Sequence, residues 1–177
     1  MTRILFTLAL AISLAACSSV QVTDYSEEQP VFIPEEFFDG RLTAHGLLKT
    51  RGGKVTRRFN AEIKAHGEDG VGTLEEDLVC SDGELQRRVW TLTPNGDGRY
   101  IGTAGDVVGP GDLQVSGNSL FLDYVLRIPY GDGEIDLRVD DRMYLVTEDI
   151  LINESVMTKF GVEVGYLLLT IIRHPEA

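Results

Sequence analysis

Glycine-containing turn signals recur at short intervals along the chain, and they restrict its fold more than any other feature. Asp69-Gly70, Asp82-Gly83 and Gly117-Asn118 are examples of dipeptides typical of tight turns between antiparallel strands. Between such turns, apolar and polar residues alternate over runs of roughly 6–14 residues. The pattern predicts an all-β fold, an antiparallel meander of about 9–10 strands that closes into a barrel.

Three segments show the alternation most clearly: 55–65, 119–128 and 134–146. Each has one apolar and one polar face, which indicates a sheet that covers a core on one side and meets water on the other. The last predicted strand, 162–172, differs because both of its faces are apolar, so its outer face requires a cover. We expect the Phe37-Phe38 segment, a short turn of helix, to pack there from outside the barrel. A dimer contact and the surface of a membrane leaflet are the alternatives.

The N-terminus has the pattern of an export signal. Arg3 precedes an apolar run at 4–16 that is too short to span a bilayer as a helix, so residues 1–16 are predicted to be a signal peptide. Leu14-Ala15-Ala16-Cys17 resembles a bacterial lipobox, which implies acylation of Cys17; an ordinary secretory signal is the alternative. Ser18 after the cysteine resembles lipoproteins sent to the outer membrane. Residues 17–34 are polar and predict a flexible tether, and 35–177 a single barrel domain.

Composition excludes several classes of function. The formal net charge of −12 argues against nucleic acid as a partner, because phosphates would be repelled. The hydrophobic fraction of 43% argues against disorder. With Cys17 lipidated, Cys80 stands alone, so no internal disulfide is expected and Cys80 is predicted to be buried as a small apolar residue.

Charged residues interrupt the predicted inner faces of the barrel at Glu76, Arg88, Asp106 and Asp141. An unpaired buried charge is costly, so these residues are the leads to a functional site. If Ser81-Asp82-Gly83 forms a three-residue loop with a left-handed glycine, Glu76 lies directly opposite Arg88. A two-residue turn would point Arg88 and Trp90 to the other face. The three-residue loop is preferred because it keeps Trp90 on the apolar side and offsets both charges.

Two interpretations of the interior remain open. In the first, Glu76 with Arg88 and Asp141 with Lys159 or another base are structural pairs in a barrel filled by its own side chains. In the second, the interior is a pocket with an apolar wall and a polar end, which suits an amphiphile with an anionic head. Glycine at 102 and 105 favours the pocket, because missing side chains leave room or allow the strand to bend. The candidate ligand-binding residues are Phe59, Arg88, Trp90, Tyr100, Asp106, Tyr124, Asp141, Met143, Asn153 and Lys159.

The sequence shows no pattern typical of an enzyme. The spacing of His45, His66 and His174 does not match a metal site, and His45 is the one expected inside the barrel as a hydrogen-bonded core residue. Nucleophile motifs, phosphate-binding loops and the calcium-loop pattern are missing. We therefore expect no catalytic residue, no metal and no cofactor.

Nearly the whole mature sequence resembles a family of small bacterial lipoproteins known as a domain of unknown function. The resemblance is carried by aromatic, glycine and charged positions: Phe37-Phe38-x-Gly40, Gly46, Asp82-Gly83, Arg88-x-Trp90, Tyr100-x-Gly102-x-Ala104-x-Asp106, Gly109, Gly117-Asn118, Asp141-x-Met143, Asn153, Met157-x-Lys159 and Gly161. It implies a barrel similar to the calycins, which include the lipocalins. It implies no catalytic residues, because the family has no established activity.

The sequence thus predicts a lipoprotein of the cell envelope, anchored by its N-terminal lipid, facing the periplasm and attached to the outer membrane. Its predicted task is to bind an apolar or amphiphilic, lipid-like ligand inside the barrel. The alternative is a non-enzymatic structural or assembly protein that acts through the outer surface of a filled barrel.

Overall fold

A computed structural model describes residues 19–175 of the chain. The predicted signal peptide at 1–16 and the predicted lipid attachment at Cys17 lie outside the described residues. A 3₁₀ helix at Val22–Tyr25 and an α-helical turn, α1, at Pro34–Phe37 precede the sheet. The ten strands are β1 (Gly40–Thr50), β2 (Val55–Glu68), β3 (Val71–Cys80), β4 (Leu85–Pro94), β5 (Arg99–Thr103), β6 (Gly111–Ser116), β7 (Ser119–Tyr130), β8 (Gly133–Thr147), β9 (Ile150–Lys159) and β10 (Val162–His174).

The strands form a closed antiparallel barrel in which each strand pairs with its neighbours in sequence. β1 also pairs with β10, from Arg41 opposite His174 to Thr50 opposite Gly165, and this pairing closes the ring. The predicted all-β meander barrel of about 9–10 strands is therefore confirmed. The three strands predicted most clearly from alternation lie within β2, β7 and β8.

The inner face of the barrel is a continuous apolar core. Alternate residues of each strand point inward, so the core draws on every part of the sheet. Leu42, Leu113, Leu120 and Leu151 are at most 2% exposed. Cys80 is buried, as predicted.

The segment before β1 packs on the barrel instead of forming a tether. The Tyr25 ring lies 5.9 Å from that of Phe121 and 5.4 Å from that of Tyr144, centroid to centroid, on the outside of β7 and β8. The backbone N–H of Phe32 donates to the carbonyl of Gly117 at 2.8 Å. The prediction of a flexible tether at 17–34 is therefore wrong from Val22 onward, because apolar side chains within the polar stretch are buried against the sheet.

Three aromatic rings plug the end of the barrel at which β1 begins. Phe32, Phe37 and Phe38 are all buried and pack edge to face, with centroids 5.2–5.8 Å apart. The Tyr100 hydroxyl donates to Glu35 at 2.7 Å, and Nη1 of Arg173 donates to the carbonyl of Glu36 at 3.0 Å. These bonds tie α1 to β5 and β10, which lie on opposite sides of the ring, so α1 spans this end.

The plug corrects the predicted position of Phe37 and Phe38. They pack against the inner core and not on the outer face of β10. That outer face stays uncovered in the single chain, with Val164 42% and Leu168 41% exposed. The predicted position of Phe37 and Phe38 was wrong because the alternation of apolar and polar residues identifies an apolar face but does not show which segment covers it.

The opposite end of the barrel is less closed. Apolar residues of the inner face near this end are only half-buried: Leu48, Leu78, Leu126, Ile128, Met157 and Leu167. The loop at 104–110 leans over part of it, since Val107 packs against the core and bridges to Leu126. The inner face is therefore dry at the plugged end and partly accessible at the other, which is called the open end below. Within residues 19–175, no helix has the length and apolarity to cross a membrane.

We expect Phe32→Ala to lower the free energy of unfolding by about 3–5 kcal/mol, because it removes a buried ring from the plug. Phe160→Ala is the matched control: that ring is 93% exposed and its loss should change stability little. Chemical denaturation monitored by circular dichroism measures both. Equal stability of the two variants would contradict the packing of the N-terminal segment.

A candidate ligand-binding site inside the barrel

The turn between β3 and β4 sets the register of the polar interior. Gly83 adopts φ +88°, a left-handed conformation that favours glycine, and its N–H donates to the Cys80 carbonyl at 2.9 Å. The three-residue loop at 81–83 places Glu76 opposite Arg88 and Leu74 opposite Trp90. This is the predicted register, and it points Arg88 and Trp90 to the inside.

The barrel encloses a cavity of about 120 Å³ in its middle. Its wall is mostly apolar, with contributions from Phe38 of the plug and from Ala44 and Ala61 of β1 and β2. Seven of the ten predicted ligand-binding residues line it: Phe59, Arg88, Trp90, Tyr124, Asp141, Met143 and Asn153. The cavity is of the same order as the roughly 150 Å³ apolar cavity that takes up benzene in an engineered protein.

An aromatic pair forms one side of the cavity. The rings of Trp90 and Tyr124 meet edge to face with centroids 5.3 Å apart. A Cβ at Gly102 would lie 3.4 Å from the Trp90 ring and 3.6 Å from Leu92, which are ordinary van der Waals distances. Gly102 therefore leaves space for about one methyl group beside the side chains of Trp90 and Leu92.

Arg88 is bound to Asp106 rather than to the glutamate opposite it. Its Nε and Nη2 both donate to Oδ2 of Asp106, at 3.0 and 2.6 Å. Asp106 lies in the loop at 104–110, whose backbone pairs with β7, since the N–H of Arg127 donates to the Asp106 carbonyl at 2.8 Å. The ion pair therefore joins β4 to this loop near the open end.

Glu76 and Asp141 have weak ion pairing for buried carboxyl groups. Burial raises the pKa of Glu76 to about 7, and the positive charge of Arg88 offsets only part of that shift. Burial also raises the pKa of Asp141 to about 6, although hydrogen bonding with Ser155, Tyr124 and Asn153 acts to lower it. Asp141 is 5% exposed, and its Oδ1 has no hydrogen-bond partner. Desolvation thus dominates both groups.

Three predicted site residues are not part of the cavity lining: Asp106, which binds Arg88, and Tyr100 and Lys159, which lie away from it. Tyr100 is at the plugged end, bonded to Glu35. Lys159 is near the β9–β10 turn, where its Nζ donates to the carbonyl of Asp136 at 2.7 Å. The predicted pairing of Asp141 with Lys159 is therefore wrong.

The histidine expected inside the barrel is outside it. His45 is exposed, and its Nδ1 lies 2.7 Å from Oδ1 of Asn60 on the outer face of β1 and β2. Position on the strand gives the reason, because His45 alternates with the inward residues Ala44 and Gly46. Among residues 19–175, no group of three or more histidine, cysteine or acidic side chains is arranged to hold a metal ion.

Three residues that matter to the cavity were absent from the predicted set. Glu76 lines the cavity, and its alternation with Leu74 and Leu78 already indicated this position. Ser155 is opposite Asp141 on β9 and only 1% exposed, but a serine gives little signal in a sequence. Phe38 reaches the cavity from outside the sheet, where strand alternation gives no information.

Fold and cavity define the class of the protein, a closed antiparallel barrel with structural neighbours in the calycin-like group. An S-type phycobiliprotein lyase from Guillardia theta has a TM-score of 0.60 at 13% identity, covering 82% of this chain and 95% of the lyase. A DUF3598-family protein of unknown function from Nostoc punctiforme has a TM-score of 0.59 at 14% identity, covering 83% of this chain and 51% of that chain. At these identities the likeness shows the fold alone.

The chain belongs to the DUF3833 family, described as a protein of unknown function, whose model matches residues 11–173. No curated protein matches the sequence. The family match confirms the predicted domain of unknown function, and the structural neighbours share the closed antiparallel barrel fold. The lipid attachment stays a prediction.

The buried carboxyl groups predict how stability depends on pH. The folded-state pKa of Glu76 (about 7) lies above its ordinary 4.5, and that of Asp141 (about 6) above 3.8. The folded protein therefore binds more protons between about pH 4 and pH 7, and the stability these groups contribute at low pH is lost as the pH rises through 6 and 7. For Glu76 alone the loss is on the order of 3 kcal/mol.

We expect the wild-type melting temperature to be higher near pH 5 than near pH 8. Glu76→Gln, which cannot ionise, should flatten this dependence and melt above the wild type near pH 8. Glu68→Gln changes an exposed glutamate and serves as the control. A Glu76→Gln curve parallel to that of the wild type would show that Glu76 is solvated.

Proposed function

We propose that this protein is a lipid-anchored envelope protein whose barrel binds a small apolar or amphiphilic ligand. The observation that carries the proposal is the asymmetry of the barrel interior. One end is sealed by the rings of Phe32, Phe37 and Phe38, while the half-buried apolar side chains of the open end continue into the cavity. A pocket with an apolar wall and a few polar groups suits such a ligand.

The rim of the open end supports this proposal. The three most exposed large apolar side chains lie at or beside its hairpin tips: Leu85 (76%), Tyr130 (71%) and Phe160 (93%). Each comes from a different hairpin, between β3 and β4, β7 and β8, and β9 and β10. An apolar ring around a mouth lowers the cost of passing an apolar molecule from a membrane or a partner into the barrel.

The proposed lipid anchor is supported by the sequence at 1–17 and by the point at which the N-terminal segment begins to pack on the barrel. Cys17 is five residues from Val22, which is 5% exposed. Five extended residues reach at most about 18 Å, so an acyl group on Cys17 would hold the barrel close to the headgroups.

A structural or assembly role is the second candidate, and the outer face of β10 favours it. The exposed side chains of Val164 and Leu168 continue to Leu47 on β1, which lies opposite Leu168. Such a surface is suited to another protein. On this alternative the cavity is a packing defect and takes up nothing.

Ligand binding separates the two candidates. We expect native mass spectrometry of the full chain carrying Cys17→Ser to show a bound small molecule, or toluene to change the fluorescence of Trp90, the single tryptophan, in a saturable way. Ala61→Leu should weaken this binding because it fills the cavity, whereas Asn60→Leu, on the outer face, should not. A barrel with no bound molecule and no response to toluene would favour the structural role.

Membrane attachment has a separate test. We expect the wild-type chain, expressed in a bacterial host, to sediment with membranes and Cys17→Ser to move to the soluble fraction, because two or more acyl chains give stable membrane anchoring. Cys80→Ser is the control. Cys17→Ser that stays with the membranes would contradict the anchor.

A further inference from the structure

The polar end of the cavity is richer in acceptors than in donors. Arg88 is the one basic side chain among the residues of 19–175 that line the cavity, while Glu76 and Asp141 line it as acids. Arg88 already donates two hydrogen bonds to a third carboxylate, Asp106. The charge of the Arg88 guanidinium is thus largely neutralised. The anionic head of a ligand would meet two further carboxyl groups, those of Glu76 and Asp141.

Two carboxylate oxygens at this end have no donor. Oδ1 of Asp106 and Oδ1 of Asp141 are buried without a hydrogen-bond partner, although Oδ2 of Asp106 takes both bonds from Arg88. Leaving a buried acceptor unsatisfied costs about 1–3 kcal/mol, and more when it is charged. A ligand that brings donors to Asp141 recovers this free energy, whereas one that brings acceptors does not.

The remaining walls cannot supply a counter-charge. β7 contributes Tyr124, and burial raises the pKa of its hydroxyl well above 10, so it stays neutral. β9 contributes Asn153, while β1, β2 and β10 contribute apolar side chains such as Ala44, Ala61 and Leu169. The titratable groups that interact with Asp141 are thus Arg88, Glu76 and Tyr124, all named above.

We propose that the cavity selects a small ligand with a protonated amine on an apolar body, with the ammonium group directed to Asp141 and Glu76. The inference rests on the proposed ligand-binding function and specifies its ligand class. The aromatic pair of Trp90 and Tyr124 supplies apolar wall for the body of such a ligand. The cavity of about 120 Å³ limits the enclosed part of the ligand to about one ring or a short alkyl chain.

Four probes of nearly equal size test the charge of the ligand: benzylamine, benzyl alcohol, toluene and benzoate. Trp90 lines the cavity, so its fluorescence reports binding to the full chain carrying Cys17→Ser. Near pH 8 we expect benzylamine to bind about tenfold more tightly than toluene, and benzoate most weakly. Benzylamine stays protonated at lower pH, so its advantage should shrink near pH 5, where Glu76 and Asp141 take up protons.

Asp141→Asn should abolish the preference for benzylamine over toluene near pH 8 while toluene still binds. Asp140→Asn is the matched control, because Asp140 is on the outer face and pairs with Arg142 at 3.1 Å. Glu76→Gln is a second variant, expected to reduce the preference without unfolding the barrel, should Asp141→Asn prove unstable.

The outcomes separate the two proposals. Toluene or benzoate binding as tightly as benzylamine, with no effect of Asp141→Asn or Glu76→Gln, would overturn the amine preference and leave the ligand-binding function standing. No response of Trp90 to any of the four probes would overturn the amine preference, and the absence of a bound molecule by native mass spectrometry as well would overturn both proposals.

Discussion

The interior of this barrel depends on one ion pair, that between Arg88 and Asp106. Without it, three carboxyl groups would share an apolar volume with nothing to offset them, and burying unpaired charge is expensive. The pair also fastens the irregular loop at 104–110 to β4, so it shapes the open end as well as the chemistry of the cavity. Neither partner is fully buried, with side-chain exposures of 25% and 36%, so the desolvation cost is smaller than for a pair deep in the core.

Much of the fold could be predicted because local rules determine it. Alternation identified the inward residues of β2, β7 and β8, and the need for a left-handed residue at Gly83 fixed the register that brings Glu76 opposite Arg88. These features depend on neighbours in sequence or on one hairpin. The site was predicted where it follows from them, as for Trp90 and Asp141.

The remainder of the site depends on contacts between distant segments. Asp106 lies in a loop without a repeat, so its bond to Arg88 could not be predicted from strand phase. The plug brings together Phe32 and Phe38, and the first of these lies in a stretch whose polar composition suggested a tether. Lys159 has the inward phase of β9, yet it lies too near the strand end to reach Asp141. The position of a residue in the strand alternation predicts the face of the sheet on which it lies. Its depth along the barrel axis can be predicted only when the full topology is known.

Closure of the sheet has a consequence for how the chain folds. The first strand is completed only by the last, since Arg41 lies opposite His174, and every hairpin between them can form earlier. Contacts between residues so far apart in sequence are slow to form, because a long loop must be closed first. Until the C-terminal strand is available, β1 and β9 both present unpaired backbone groups, which are prone to pair with other chains. The protein therefore acquires its native ring only when its C-terminal strand has been synthesised.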